Sequence, residues 1–373
     1  MEKLAPSENT LAGLLLTFTA LSGELPTDQI DRLSSTKAYQ EKVLKALKSE
    51  KLLRTFYRNG LRALRLTLAG KKLLLNTWPD RFTAYLSGST ETNVLKSEVP
   101  RRLRLHRMAE VLVTMFNAGV TVYPWEKPAL FTPSPPPSPL HVKRSSYYSS
   151  RELKELGALA VKVHGSRATG ILFSDDGIFV VYNAGPGQMK WELRIEMRLK
   201  ALVQQELCMK RVPQFSEIEP SAIVFDAGME QMPLLMGTHD GGQYNYFVLD
   251  GNFDHFYFLT SDHCGEVILR LLCESDKRTV LDGILSQGLS APRPGFVVEN
   301  DAMDGDEPVL FAYTCDMPRI KRFDNALHIH DMRGTLYCFD FQEAALRAIC
   351  GPGIKIQDLD FEKVKALLFD GDC

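Results

Sequence analysis

Along residues 10–75 the spacing of apolar side chains shifts from helical to alternating and back, and each shift marks an element. Leu11, Leu14, Leu15, Phe18 and Leu21 recur at helical intervals and Gly23 closes the run, which predicts a helix over Thr10–Ser22. Thr27 stands where it would cap a short helix over Asp28–Ser34. After a break at Ser34-Ser35-Thr36, a longer helix is expected over Lys37–Leu53. Val43, Leu44 and Leu47 then face inward, and Lys37, Gln40, Glu41, Lys45 and Lys48 face outward. The period next falls to two. Arg54-Thr55-Phe56-Tyr57 reads as a strand, Arg58-Asn59-Gly60 as a turn, and the residues to Leu68 as a second strand. Asn-Gly between two strand-like runs favours a two-residue turn, which needs positive φ twice. Leu64, Leu66 and Leu68 alternate with Arg65 and Thr67, which predicts a half-buried ribbon with a basic outer face. Leu66–Leu73 then returns to helix.

The order helix, helix, hairpin, helix is that of winged helix-turn-helix DNA-binding domains, in which the second helix enters the major groove. Lys37, Tyr39, Gln40 and Lys45 are therefore candidate contacts to base edges or phosphates, and Arg54, Arg58, Arg62 and Arg65 decorate the wing. A solvated helix face plus a basic hairpin that docks a protein is the alternative.

Residues 76–100 read as a connection. Arg101-Arg102-Leu103-Arg104-Leu105-His106-Arg107 opens a helix that runs to Asn117, with Met108, Val111, Leu112, Met115 and Phe116 as its buried stripe and Gly119 as its stop. Its arginines, Arg101 and Arg104 among them, either extend a phosphate-contacting surface or pair with the acidic C-terminal half of the chain. His106 beside them reads as structural. Residues 124–139 hold seven prolines, the composition of an extended spacer.

From Tyr147 the pattern becomes mixed α/β. Helices are expected over Ser150–Leu156, Trp191–Met209, Met229–Met236, His263–Cys273, Phe341–Ile349 and Asp360–Leu368. Strands are expected over Val161–Val163, Thr169–Phe173, Ile178–Asn183, Ala222–Asp226, Tyr246–Asp250, Phe256–Leu259, Val309–Thr314, Ala326–Asp331 and Leu336–Phe339. Interleaved strands and helices imply a mixed sheet with helices against it. The expected organisation is a domain over 1–85, a basic connecting helix over 86–123, a proline-rich linker over 124–149 and a mixed α/β domain over 150–373. The fold class is α+β.

Charge sharpens this division. The 373 residues carry a net charge of −2, but residues 1–110 hold 19 Lys+Arg against 11 Asp+Glu and the rest holds 25 against 35. A basic front on an acidic body suits a DNA-binding head joined to a different module. No run of apolar residues reaches membrane-spanning length and no secretory leader pattern is present, so a cytoplasmic protein without a membrane partner is expected. Seven cysteines without a CxxC pair fit reduced thiols better than a disulfide framework or zinc site.

Residues 10–120 resemble the replication-relaxation family, proteins of plasmids and integrative conjugative elements. The resemblance rests on the Leu-Thr-rich strand and glycine at Leu66–Gly70 and on the separated helix Leu105-His106-Arg107-Met108-Ala109-Glu110-Val111. It implies a winged-helix start that binds DNA, a role in replication, relaxation or transfer, and a later nuclease-type α/β core that is often degenerate. It supplies no catalytic residue.

Two enzymatic readings compete with DNA binding alone. A PD-(D/E)xK nuclease needs an Asp and a Glu-x-Lys on adjacent strands to hold Mg²⁺. The hairpin over 169–183 followed by a helix has that outline. Yet Ile178–Asn183 is followed only by Glu192-Leu193-Arg194 and Glu196-Met197-Arg198, within the helix, so an inactive version is expected. An HUH-type nicking enzyme would use His328-Ile329-His330 in a strand to hold a metal, with Tyr147 or Tyr148 as nucleophile. Asp250-Gly-Asn-Phe-Asp254-His255 resembles a metal loop but lacks a full ligand set, and Asp301–Glu307 reads as a solvated acidic loop. GxxxxGK[ST], GxSxG and HExxH are all absent. The sequence thus favours sequence-dependent duplex-DNA binding without a cofactor or metal. Its expected partners are DNA, a second copy of the chain and replication or transfer proteins; a docking adaptor and a DNA nickase are the alternatives.

Overall fold

Thr10 accepts a hydrogen bond on its side-chain oxygen from the Gly13 amide (3.2 Å) and so caps helix α1, Leu11–Ser22. Almost every side chain of α1 is buried, so it is the axial helix of its unit. Gly23 ends it at φ 84°, its amide bonding back to the Thr19 carbonyl. The structure, a computed structural model, describes residues 6–33, 36–87, 97–185, 189–237, 246–249 and 251–369. The chain divides into two compact units, Met1–Pro128 and Ala129–Cys373. Helices accompany three sheets, and the chain is α+β.

In the first unit, strand β1 (Leu25–Pro26) leads through a 3₁₀ turn at Thr27–Gln29 to α2 (Ile30–Leu33), and α3 spans Lys37–Ser49. The expected break residues Ser34 and Ser35 lie outside the described residues. The helix expected to reach Leu53 stops at Ser49, because Lys51 turns the chain at φ 57° and Leu53 begins strand β2 (Leu53–Arg58). Asn59 and Gly60 take φ 51° and 78°, the double positive φ that a two-residue hairpin turn demands. Strand β3 (Leu61–Leu66) returns and lies between β1 and β2, antiparallel to both. The expected basic outer face is corrected at Arg65: Ala63, Leu64, Arg65 and Leu66 are all buried, so both faces of this part of β3 are covered, and only Arg62 of the strand stays exposed. Thr67 caps α4 (Leu68–Thr77), and α5 (Pro79–Leu86) follows. The basic helix α6 (Val99–Asn117) packs on α1, with Phe18 and Phe116 edge to face at 5.2 Å.

In the second unit, β4 (Ser146–Ser149) precedes the short helices α7 (Ser150–Leu153) and α8 (Ala158–Val161). Strands β5 (Gly170–Phe173) and β6 (Ile178–Asn183) then form a hairpin. Helix α9 (Leu193–Leu202), continued by a π-helical segment over Val203–Met209, carries the chain to β7 (Ser221–Asp226), parallel to β6. After α10 (Met232–Met236), β8 (Phe256–Thr260) completes a sheet ordered β4-β5-β6-β7-β8. All six residues of β6 are buried, as a strand covered on both faces requires. Helices α11 (His263–Cys273) and α12 (Ser275–Leu285) lead to a second sheet. Its strands are β9 (Ala302–Asp304), β10 (Glu307–Phe311), β11 (Gly334–Phe339) and β12 (Ile354–Leu359), in the order β12-β11-β10-β9. Helices α13 (Met317–Ile329), α14 (Glu343–Arg347) and α15 (Phe361–Phe369) complete the unit, and one apolar core runs under both sheets.

Three expected strands are not strands. Val161 closes α8 and Val163 lies in a turn. Tyr246 makes a single bridge to Lys190, and Asp250 lies outside the described residues. Ala326–Ile329 belongs to α13, where Ile320, Phe323 and Leu327 recur at helical spacing and Pro318 sits in the first turn. The proline-rich stretch is less free than a spacer. Leu130 and Phe131 are buried, and the buried Arg211 guanidinium donates to the carbonyls of Leu130 and Thr132, each at 2.9 Å, and more distantly to that of Ser134. The Arg211 carbonyl in turn accepts from the Leu140 amide at 2.7 Å.

Candidate nucleic-acid interface

A charged side chain, Glu24, sits between the apolar Leu21 and Leu25 and is fully buried (0% exposed). Burying an isolated carboxylate is prohibitively costly, so it must be paired. Arg65 of β3 donates to one carboxylate oxygen from Nε (2.9 Å) and Nη2 (2.6 Å). Arg102 of α6 donates to the other from Nε (2.8 Å) and Nη2, and His106, one helical turn further on, reaches the same oxygen from Nε2 at 2.9 Å. An ionised carboxylate only accepts, so that imidazole nitrogen carries the proton. Burial alone would raise the Glu24 carboxyl, but the hydrogen bonds from His106, Arg102 and Arg65 outweigh it and hold it down at about 2.

This cluster fastens the hairpin. Arg102 also donates to the carbonyls of Arg58 (2.8 Å) and Leu61 (3.2 Å), on either side of the Asn59-Gly60 turn. The Phe56 ring lies against the Arg65 and Arg102 guanidinium groups, with centroid distances of 3.7 and 4.7 Å. The second guanidinium charge, left over after one carboxylate, is thus met by carbonyl dipoles and an aromatic face.

Around this fastening the candidate DNA contacts divide. Lys37, Tyr39 and Lys45 are exposed on α3, and Arg54, Arg58 and Arg62 are exposed on the hairpin with Tyr57, which is 68% exposed. Tyr57 and Arg62 are cross-strand partners and share one face of the hairpin. Gln40 is only 5% exposed, because residues 40, 43, 44 and 47 form the inward stripe of α3. Arg65 is 3% exposed and committed to Glu24. Both therefore leave the candidate surface. Arg101 and Arg104 are exposed on α6, Arg101 in an ion pair with Glu98 at 3.0 Å. Glu24, Arg102 and His106 were not anticipated as a unit. Their signal was a carboxylate placed just after a largely apolar helix and an Arg and a His spaced i, i+4 on a later helix.

In the second unit the residues considered for nicking do not converge. His328 lies in α13 and His330 is its C-cap. Residues two apart on a helix point in different directions, unlike residues two apart on a strand. Tyr147 and Tyr148 are buried within β4, and burial pushes both hydroxyls up, away from nucleophilic use. At the end of β6, where an acidic-x-Lys pair would stand, Tyr182 donates to the buried Glu196 of α9 at 2.9 Å. Ser166 and the Arg167 amide satisfy the same carboxylate. Among the described residues no group of three or more His, Cys, Asp or Glu side chains is placed to hold a metal ion, and no helix is long and apolar enough to cross a membrane. Comparison with family models, curated proteins and solved structures finds no match to this chain.

Proposed function

We propose that this chain binds duplex DNA in a sequence-dependent manner, its first unit acting as a winged helix. In this reading α3 enters the major groove with Lys37, Tyr39 and Lys45, and the β2–β3 hairpin is a wing that grips phosphates through Arg54, Arg58 and Arg62. The observation that carries it is the basic hairpin fixed at its turn by Arg102 and Glu24. A wing held in one orientation loses little entropy on binding. The excess of Lys and Arg over residues 1–110 supports the same reading. Membership of the replication-relaxation family, and with it a role in plasmid or mobile-element replication, relaxation or transfer, is part of this proposal. The second unit serves as a partner module with a nuclease-like outline and no catalytic set.

Fluorescence anisotropy with labelled duplex DNA at two salt concentrations, with and without Mg²⁺, tests the reading. Binding is expected to weaken steeply with salt and to leave the strands uncut. In the Arg54→Ala, Arg58→Ala, Arg62→Ala triple variant the log–log salt slope should flatten by about one for each phosphate no longer neutralised. Affinity unchanged in that variant would remove the wing assignment. Failure to bind at low salt would leave a protein-docking adaptor, for which exposed Tyr39 and Tyr57 are suitable anchors.

A further inference from the structure

The second unit holds a cavity of about 510 Å³, large enough for a small organic molecule. It opens at the N-terminal ends of β6, β7 and β8 and is closed by α12, by the segment after β10 and by the start of α13. Its walls combine two chemistries. Phe179, Tyr257 and Tyr313 supply aromatic surface, and carboxylates supply negative charge in excess of the two lining arginines.

The ion pairs leave that excess in one place. Arg278 is paired with Asp176, Arg319 with Glu299 (2.8 Å) and Asp301 (2.7 Å), and Glu299 is met a second time by Arg322 at 3.0 Å. Glu219 is met by Lys200 at 2.5 Å, and Asp316 by His255 at 2.6 Å. Among the described residues Asp282 has no cationic partner within ion-pair distance; its hydrogen bond comes from the Tyr313 hydroxyl at 2.6 Å. Burial pushes its carboxyl up, against that hydrogen bond and the pull of Arg278 and Arg319. The Tyr257 hydroxyl has no hydrogen-bond partner among the described residues, and its ring lies parallel to that of His255.

We propose that this cavity is a binding site for a small organic cation, an ammonium or guanidinium group on an aliphatic stem, with Asp282 as its counter-ion. Three features of the site fit that chemistry together. An unmatched carboxylate in a partly desolvated cavity attracts a cation more strongly than any surface acid does. Aromatic faces beside it attract the same charge through their quadrupoles. The arginines, which would otherwise favour an anion, are already neutralised by their own carboxylates. The cation is held by Asp282 and the Tyr257 and Tyr313 rings, and no bond is made or broken.

Isothermal titration of the full-length protein with spermidine and with agmatine tests the site, inorganic phosphate serving as the probe of opposite charge. Saturable binding of one or both amines is expected, weakened by about tenfold or more in Asp282→Asn. It should be unchanged in Asp358→Asn, which removes an exposed acid on β12. Equal weakening in the two variants would mean diffuse attraction to an acidic surface and would overturn the proposal. So would the absence of saturable binding of either amine to the unsubstituted protein at millimolar concentration, or saturable binding of phosphate at this cavity. The outcome is independent of DNA binding by the first unit.

Discussion

Glu24 joins three elements through one carboxylate, and its replacement should be felt as stability before it is felt as function. Glu24→Gln leaves two buried guanidinium groups without their counter-charge, which is expected to cost about 3–5 kcal/mol in urea unfolding. Its pH dependence has a definite sign. The folded carboxyl is held at about 2, below its ordinary value of 4.5. The stability it supplies is therefore complete above about 4.5 and is lost as the pH falls toward about 2. Unfolding midpoints measured at neutral pH and near pH 3 should differ less in Glu24→Gln than in the unsubstituted protein. Two arginines on one strand separate the two kinds of effect. Arg65→Ala should lower the midpoint of unfolding, whereas Arg62→Ala should leave stability within about 0.5 kcal/mol and weaken DNA binding. The sequence alone groups them as basic residues of one hairpin; strand alternation puts them on opposite faces but does not say which of those faces is covered at each end of the strand.

At the scale of elements the hairpin depends on its turn. Gly60 has open space where a Cβ would project but a φ of 78°, so Gly60→Ala is opposed by backbone conformation alone. A loss of about 1 kcal/mol is expected. Circular dichroism melts compared with those of Arg102→Ala would separate a strained turn from an unfastened one, since the latter should cost more. The hairpin was legible because Asn-Gly and alternating apolar residues specify it locally. So were α1, α6, β6 and α11, whose apolar stripes are long. The strand expected at Ala326–Asp331 was not, because His328 and His330 flank Ile329 in a pattern that satisfies period two over a few residues. The wider stripe from Ile320 to Leu327 settles it as helix. The Glu24 cluster was hidden for another reason: its arginines lie 41 and 78 residues from the carboxylate, and only the fold brings them together.

For the whole molecule, the division into two compact units predicts two unfolding events in calorimetry, one for each unit. Duplex DNA at roughly a hundred times its dissociation constant should stabilise one of them by about 2.7 kcal/mol. An amine that fills the cavity should shift only the other. A single transition moved by both would show that the units unfold together. The boundary at Pro128 was only partly visible in the sequence. The proline run suggested a spacer, but proline content reports a stiff backbone and says nothing of the buried Leu130, Phe131 and Arg211 that hold the following residues to the second core.

Arg211 gathers both ends of that run, its guanidinium holding the backbone of residues 130–134 and its carbonyl the amide of Leu140. Residues 135–139 are consequently a closed loop whose ends are fixed independently of its length. Closing a longer loop between fixed ends costs only about 0.6 kcal/mol for each doubling. The loop is thus a natural place to insert a peptide tag or a fluorescent label, and an insertion there should leave the unfolding midpoint almost unchanged. The same insertion between Leu130 and Ser134 would pull the carbonyls out of register with the guanidinium.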